Sequence, residues 1–192
     1  MLKIVTSNLI LCLATCILLS CQPKRGPEET SVDVDKLELT GKILIYGPDV
    51  DATTCEVFGQ CDCCAGHYVF INESEFIAID YCEADQTYRM GTYKTNNNIV
   101  SLHVKELVVD RTANWPAEGD ESGMEEMSYT LTERKVDPIT ITLTLQQCEK
   151  NILFEVDSQE TPFAAVDKNT LFSDVVDRMK QHGVWPLLGL KE

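Results

Sequence analysis

Between Cys55 and His67 the chain reads CEVFGQCDCCAGH, four cysteines within ten residues and then a histidine. Thiolates and imidazoles bind soft or borderline metals, Cu(I) and Zn(II) above all. Cys61, Cys63, Cys64 and His67 form such a donor set, with copper or zinc as the candidate ion. Disulfides account for the same residues. Adjacent cysteines rarely bridge each other, because a disulfide needs separated Cα atoms. Cys63 and Cys64 would therefore turn to different partners among Cys55, Cys61, Cys82 and Cys148. Thiol redox chemistry is the third reading. His67 opens a strand pattern, so a hydrogen-bonded surface histidine competes with ligation. His103, within a strand, and His182, in a helix tail, receive no role.

The compartment follows from the N-terminus. MLKIVTSNLILCLATCILLSC carries one early charge, Lys3, and then an apolar run to Leu19. This is the layout of a secretory signal peptide. It ends in Leu18-Leu19-Ser20-Cys21, which resembles the lipobox of bacterial lipoproteins. That resemblance implies removal of residues 1–20 and acylation of Cys21. The lipid on Cys21 would then hold the protein to the membrane. Gln22 replaces the aspartate that retains lipoproteins in the inner membrane, so the expectation is the outer membrane. Residues 22–36, QPKRGPEETSVDVDK, read as a flexible tether.

Residues 37–192 read as one domain, long enough to bury a core. Lys and Arg number 16 against 31 Asp and Glu, a net charge of −15. Such a surface repels nucleic acid and anionic head groups, which excludes DNA or RNA binding. The chain has nine cysteines. Cys12 and Cys16 would leave with the signal peptide and Cys21 would carry lipid. The remainder, Cys55, Cys61, Cys63, Cys64, Cys82 and Cys148, is an even set in an oxidising compartment, and so a disulfide set first of all.

Beyond the tether the pattern has period two. In ITITLTLQQ (139–147), Ile139, Ile141, Leu143 and Leu145 share one face and Thr140, Thr142 and Thr144 the other. Half-buried antiparallel strands look like this. Similar runs fall at 37–46, 67–71, 75–81, 87–95, 98–109, 126–134 and 152–157, separated by short polar turns. The fold class is therefore mainly β. We expect an eight-stranded antiparallel up-and-down (lipocalin-like) barrel or a half-open sandwich, with one C-terminal α-helix at about residues 170–182. Leu171, Phe172, Val175, Val176 and Met179 share one helix face, with Gly183 after it. The apolar tail 184–190 is expected to dock. The acidic stretch 117–126 carries no EF-hand spacing and reads as a solvated loop.

Catalytic constellations are missing from the sequence: no phosphate-cradling glycine loop, no G-x-S-x-G elbow, no H-E-x-x-H helix. The reading is against an enzyme, with no required cofactor.

Cys61-Asp62-Cys63-Cys64-Ala65-Gly66 resembles the C-A-D-C-P-G signature of the NlpE family of envelope lipoproteins. Tyr88-Arg89-Met90-Gly91-Thr92-Tyr93 and Asn97-Asn98-Ile99-Val100-Ser101-Leu102 are similar to that family's continuing strands. The resemblance implies a lipocalin-like barrel, outer-membrane anchoring and a C-x-x-C, here Cys61 and Cys64, implicated in copper or envelope-stress sensing. Cys63 inside the motif, Ala65 in place of proline, and the additional Cys55 and Cys82 depart from it.

The leading expectation is a non-enzymatic, membrane-anchored envelope lipoprotein with a Cys-rich loop, disulfide-stabilised and metal- or redox-responsive. Two alternatives stand beside it. One is a barrel that carries a small apolar ligand, and the other is a structural lipoprotein that binds an envelope protein partner.

Overall fold

The computed structural model describes residues 38–47, 49–50, 57–58, 65–115, 127–147, 152–157 and 163–191. The signal peptide, Cys21, the tether and the acidic loop lie outside them. The strands are β1 (Ile43–Tyr46), β2 (Asp49–Val50), β3 (Val57–Phe58), β4 (Gly66–Phe70), β5 (Glu75–Cys82) and β6 (Asp85–Asn96). They continue with β7 (Ile99–Asn114), β8 (Ser128–Lys135), β9 (Ile139–Gln147), β10 (Ile152–Val156) and β11 (Phe163–Val166). Two helices follow, α1 (Phe172–Gln181) and α2 (Val184–Leu187).

Antiparallel pairing runs β6-β5-β4-β1-β11-β10-β9-β7, and β7 returns to β6, so eight strands close into a barrel. Closure leaves none of these eight with an open edge. β2 and β3 pair separately. β8 is the extra strand. The sixteen residues of β7 explain it: Ile99–Val104 pair with β9, whereas Leu107–Asn114 pair with β8 on the same edge. Opposite them, the β6–β7 register shifts between Arg89 and Gly91. Such a bulge bends a strand and sharpens its twist, which lets the second half of β7 flare away and carry β8.

The period of two divides the barrel wall into an inner and an outer face. Leu44, Tyr46, Tyr68, Phe70, Phe76, Ala78, Tyr93, Val100, Leu102, Leu143, Phe154 and Ala164 form the inner core. Ile43, Val69, Ile77, Ile79, Tyr88, Met90 and Val109 form an outer patch, and α1 and α2 cover it with Val175, Val176, Met179, Val184, Trp185 and Leu188. The apolar tail thus docks on the outside of the barrel. Leu171, assigned to the packed helix face from the sequence, is exposed because α1 begins one residue later.

Gly91 shows why the inner wall tolerates no side chain at some points. A Cβ there would lie 2.6 Å from the His103 carbonyl oxygen and collide with the Phe76 ring. Glycine within a strand marks this kind of close approach.

Candidate functional site

Of the sequence-derived cysteines, Cys21, Cys55, Cys61, Cys63, Cys64 and Cys148 lie outside the described residues. Cys82 ends β5 and is exposed. His67 is the second residue of β4, and the alternation points it outward, away from the barrel interior. Its Nδ1 is 3.0 Å from the Tyr81 hydroxyl and its Nε2 is 3.6 Å from Asp167 Oδ2. The His67 and Asp167 side chains are only 12% and 8% exposed. Burial pushes the imidazole below its ordinary pKa; Asp167 opposes this and Arg178 adds to it. The neutral ring accepts from Tyr81 at Nδ1 and turns its Nε2–H toward Asp167. Burial would raise the Asp167 carboxyl, but hydrogen bonds from the Thr170 side chain and the Asn169 and Thr170 backbone N–H groups hold it below the usual carboxylate range. Burial pushes the Tyr81 hydroxyl up to about 12. Among the described residues, no three His, Cys, Asp or Glu side chains come together as a metal cage.

A second polar group lies on the inner face, where Asp80 and Arg89 share the parity of Phe76, Ala78 and Gly91. Arg89 Nη2 donates to Asp80 Oδ2 at 2.8 Å. The Tyr46 hydroxyl, from β1, donates to the other oxygen of Asp80 and lies 3.2 Å from the Ile79 carbonyl oxygen. Tyr46 stacks on Tyr68 with ring centroids 4.4 Å apart. Burial first, then Asp80, raises the Tyr46 hydroxyl far above its ordinary value, and the same two causes raise Tyr68. Gly66 makes room for this arrangement. A Cβ there would clash with Tyr46 Cζ and Oη and lie 2.5 Å from the Ile79 carbonyl oxygen. Further along the same wall, Asp110 accepts from Thr87 Oγ1 at 2.8 Å and from Arg134 Nε at 2.5 Å. Burial works to raise the Asp110 carboxyl, and these hydrogen bonds hold it low.

The interior is uneven. On the β4–β5 wall, Phe70 and Phe76 are 0% exposed and their rings pack with Tyr68 and Tyr93. On the other wall, inward-facing Ile141 and Leu145 of β9, Ile152 of β10 and Val166 of β11 are only partly buried. Ile139, which begins β9 with the same parity, is 41% exposed. The barrel therefore combines a sealed aromatic wall, a facing wall that is buried at Leu143, Phe154, Val156 and Ala164 and partly exposed at Ile141, Leu145, Ile152 and Val166, and a polar cluster built on Asp80 and Arg89.

Sequence reasoning did not single out Tyr46, Asp80, Arg89, Tyr81 or Asp167. For Asp80 and Arg89 a signal was present, a charge at an inward position of an alternating strand. For the others the partners lie too far apart in sequence for any local pattern.

No protein-family description and no curated protein matches the chain. One solved structure, described as a streptavidin-like protein from Bacteroides eggerthii DSM 20697, is similar to it at 10% identity and a TM-score of 0.48, covering 75% of this chain and 89% of that one.

Proposed function

We propose that the chain is a non-enzymatic binding barrel that holds a small apolar molecule in its interior, anchored to the bacterial envelope by lipid on Cys21. The observation that carries this reading is the set of inward-facing apolar side chains Ile141, Leu145, Ile152 and Val166, left partly exposed beside the buried Leu143, Phe154 and Ala164. Apolar surface left in water costs about 25 cal/mol per Å². A ligand seated there recovers that free energy in a way solvent cannot. Eight-stranded barrels are just wide enough for side chains to fill, or for one small ligand.

The test is to purify the lipid-anchored protein and identify, by extraction and mass spectrometry, the apolar molecules retained in fixed proportion to it. A reproducible apolar molecule near one per chain supports the reading. Its absence, together with no saturable labelling by apolar photoprobes, would overturn it. Replacement of Cys21 by alanine is expected to abolish acylation and release the chain from the membrane fraction.

For the Cys-rich segment, a second reading rests on strand register. β4 pairs with β5 with Gly66 opposite Asp80, and the Tyr81 N–H donates to the Ala65 carbonyl at 3.1 Å. Residue 65 opposite 81 is thus a hydrogen-bonded pair, and in the chain Cys64 directly precedes the one and Cys82 directly follows the other. We propose that these two cysteines bridge, which would leave Cys55, Cys61, Cys63 and Cys148 for further disulfides or for copper or zinc.

A further inference from the structure

The inner wall of the barrel carries a hydrogen-bond donor that the protein does not use. Arg89 stands on the inner face of β6, paired with Ala78 on one side and Val108 on the other. Its Nη2 donates to Asp80, but its Nε is buried and has no hydrogen-bond partner. A buried N–H without an acceptor costs free energy comparable to a lost hydrogen bond, and native proteins rarely leave one so. The position is overdetermined rather than slack. Asp80 holds the guanidinium at 2.8 Å and is itself held by the Tyr46 hydroxyl.

The charge around this donor selects what can accept from it. Asp80 matches the positive charge of Arg89, and the exposed Arg134 of β8 pairs with Asp110. The whole chain carries −15. A carboxylate brought to Nε would stand beside the Asp80 carboxylate, where like charges repel; the Arg89 and Asp80 side chains are 27% and 38% exposed, so solvent screens part of this repulsion. A neutral carbonyl oxygen accepts the same N–H without that repulsion.

We infer that the ligand of this barrel is an apolar molecule bearing a neutral carbonyl acceptor, an ester or amide, which takes the free Nε–H of Arg89. This rests on the apolar-ligand reading above and adds the chemistry of the ligand's polar group. The hydrocarbon body lies along the aliphatic wall of β9–β11 and the carbonyl at the Asp80–Arg89 pair.

The test uses membranes containing the full lipid-anchored chain and three photo-crosslinking probes with one diazirine-bearing hydrocarbon body. One probe ends as a methyl ester, one as a free carboxylate and one as the plain alkane. Labelling of the protein is normalised to that of bulk membrane protein, which corrects for partitioning into lipid. The expected result is ester labelling roughly tenfold above carboxylate and several-fold above alkane. Arg89→Met should bring ester labelling down to the alkane level measured in the same variant. Arg89→Lys keeps the charge beside Asp80 but has no Nε, so it should lose the ester preference too. Alkane labelling with no ester preference, or a preference for carboxylate, overturns the inference and leaves the apolar-ligand reading standing. Failure of all three probes removes both.

Discussion

Gly66→Ala is the substitution whose consequences follow most directly from the structure. The new methyl would intrude on the Tyr46 ring and hydroxyl and lie 2.5 Å from the Ile79 carbonyl oxygen. The ring can swing, but the carbonyl belongs to the β4–β5 ladder and cannot. Overpacking of this kind costs about 1–3 kcal/mol. Displacing Tyr46 also removes its hydrogen bond to the Asp80 carboxylate, and bonds to charged groups contribute about 1.5–3 kcal/mol. Together about 2.5–6 kcal/mol is expected, which for a chain of this size lowers Tm by roughly 5–24 °C. Thermal or urea unfolding monitored by far-ultraviolet circular dichroism measures it. Tyr46→Phe isolates the hydroxyl and should cost about 1.5–3 kcal/mol. In the Tyr46→Ala background the ring clash is gone, so Gly66→Ala should cost about 1–2 kcal/mol less than in the wild type. Full additivity, or a Gly66→Ala variant as stable as wild type, would refute the placement of Tyr46 over Gly66.

Two further outcomes are expected. Because burial lowers the pKa of His67 in the folded state, the unfolded chain binds its proton more readily, and stability falls as pH drops below 6.5 toward the folded value. The slope there approaches about 1.4 kcal/mol per pH unit for each such histidine. His182 is shifted in the same direction by burial and by Arg111 and Arg178, so His67→Gln should remove one part of the slope and His182→Gln another. Asp167, held low, adds a loss that begins only below about pH 4. An unchanged slope from urea midpoints between pH 7 and 5 in His67→Gln would count against the His67–Asp167–Tyr81 geometry. For the cysteines, non-reducing peptide mapping of envelope-derived protein should recover a Cys64–Cys82 peptide. Finding Cys82 joined to Cys148 or Cys55 instead would show that the β4–β5 register does not govern pairing.

Local pattern made much of this wall legible. β9 falls where the Ile/Thr alternation puts it, and Ile141 and Leu143 face inward as that alternation requires. Two failures have one cause. FAAV (163–166) carries little strand signal, since two alanines give little β-propensity; its place is set by β1 and β10, through Leu44 opposite Val166 and Phe154 opposite Ala164. Residues 126–134 alternate like a barrel strand, but the strand there, β8, lies outside the closed barrel because β7 is long enough to serve two partners on one edge. Both are decided by pairing between distant segments, which a single sequence does not display. The same holds at the sites. His67 meets Asp167, and Tyr46 meets Asp80, through closure of the barrel and docking of the segment before α1.

The sign of one stability change tests whether the interior has spare room, and ligand retention tests whether that room is a site. The β4–β5 wall and its neighbours supply four aromatic rings, Tyr68, Phe70, Phe76 and Tyr93. The facing wall buries Leu143, Phe154, Val156 and Ala164 and leaves Ile141, Leu145, Ile152 and Val166 partly exposed. If that exposure were a packing defect, Ile141→Phe would close it and nothing more would follow. If it is a ligand cavity, the same substitution occupies the ligand's place. In both cases the added ring meets open space, so stability should hold or rise by up to about 1 kcal/mol, whereas a filled interior would be overpacked and lose about 1–3 kcal/mol. Retention of the apolar molecule then separates the first two. Ile141→Phe protein that is as stable as wild type but empties of its ligand supports a cavity. Protein that is destabilised, with labelling unchanged, means that the wetted face of β9 is a surface and that ligand, if any, binds elsewhere.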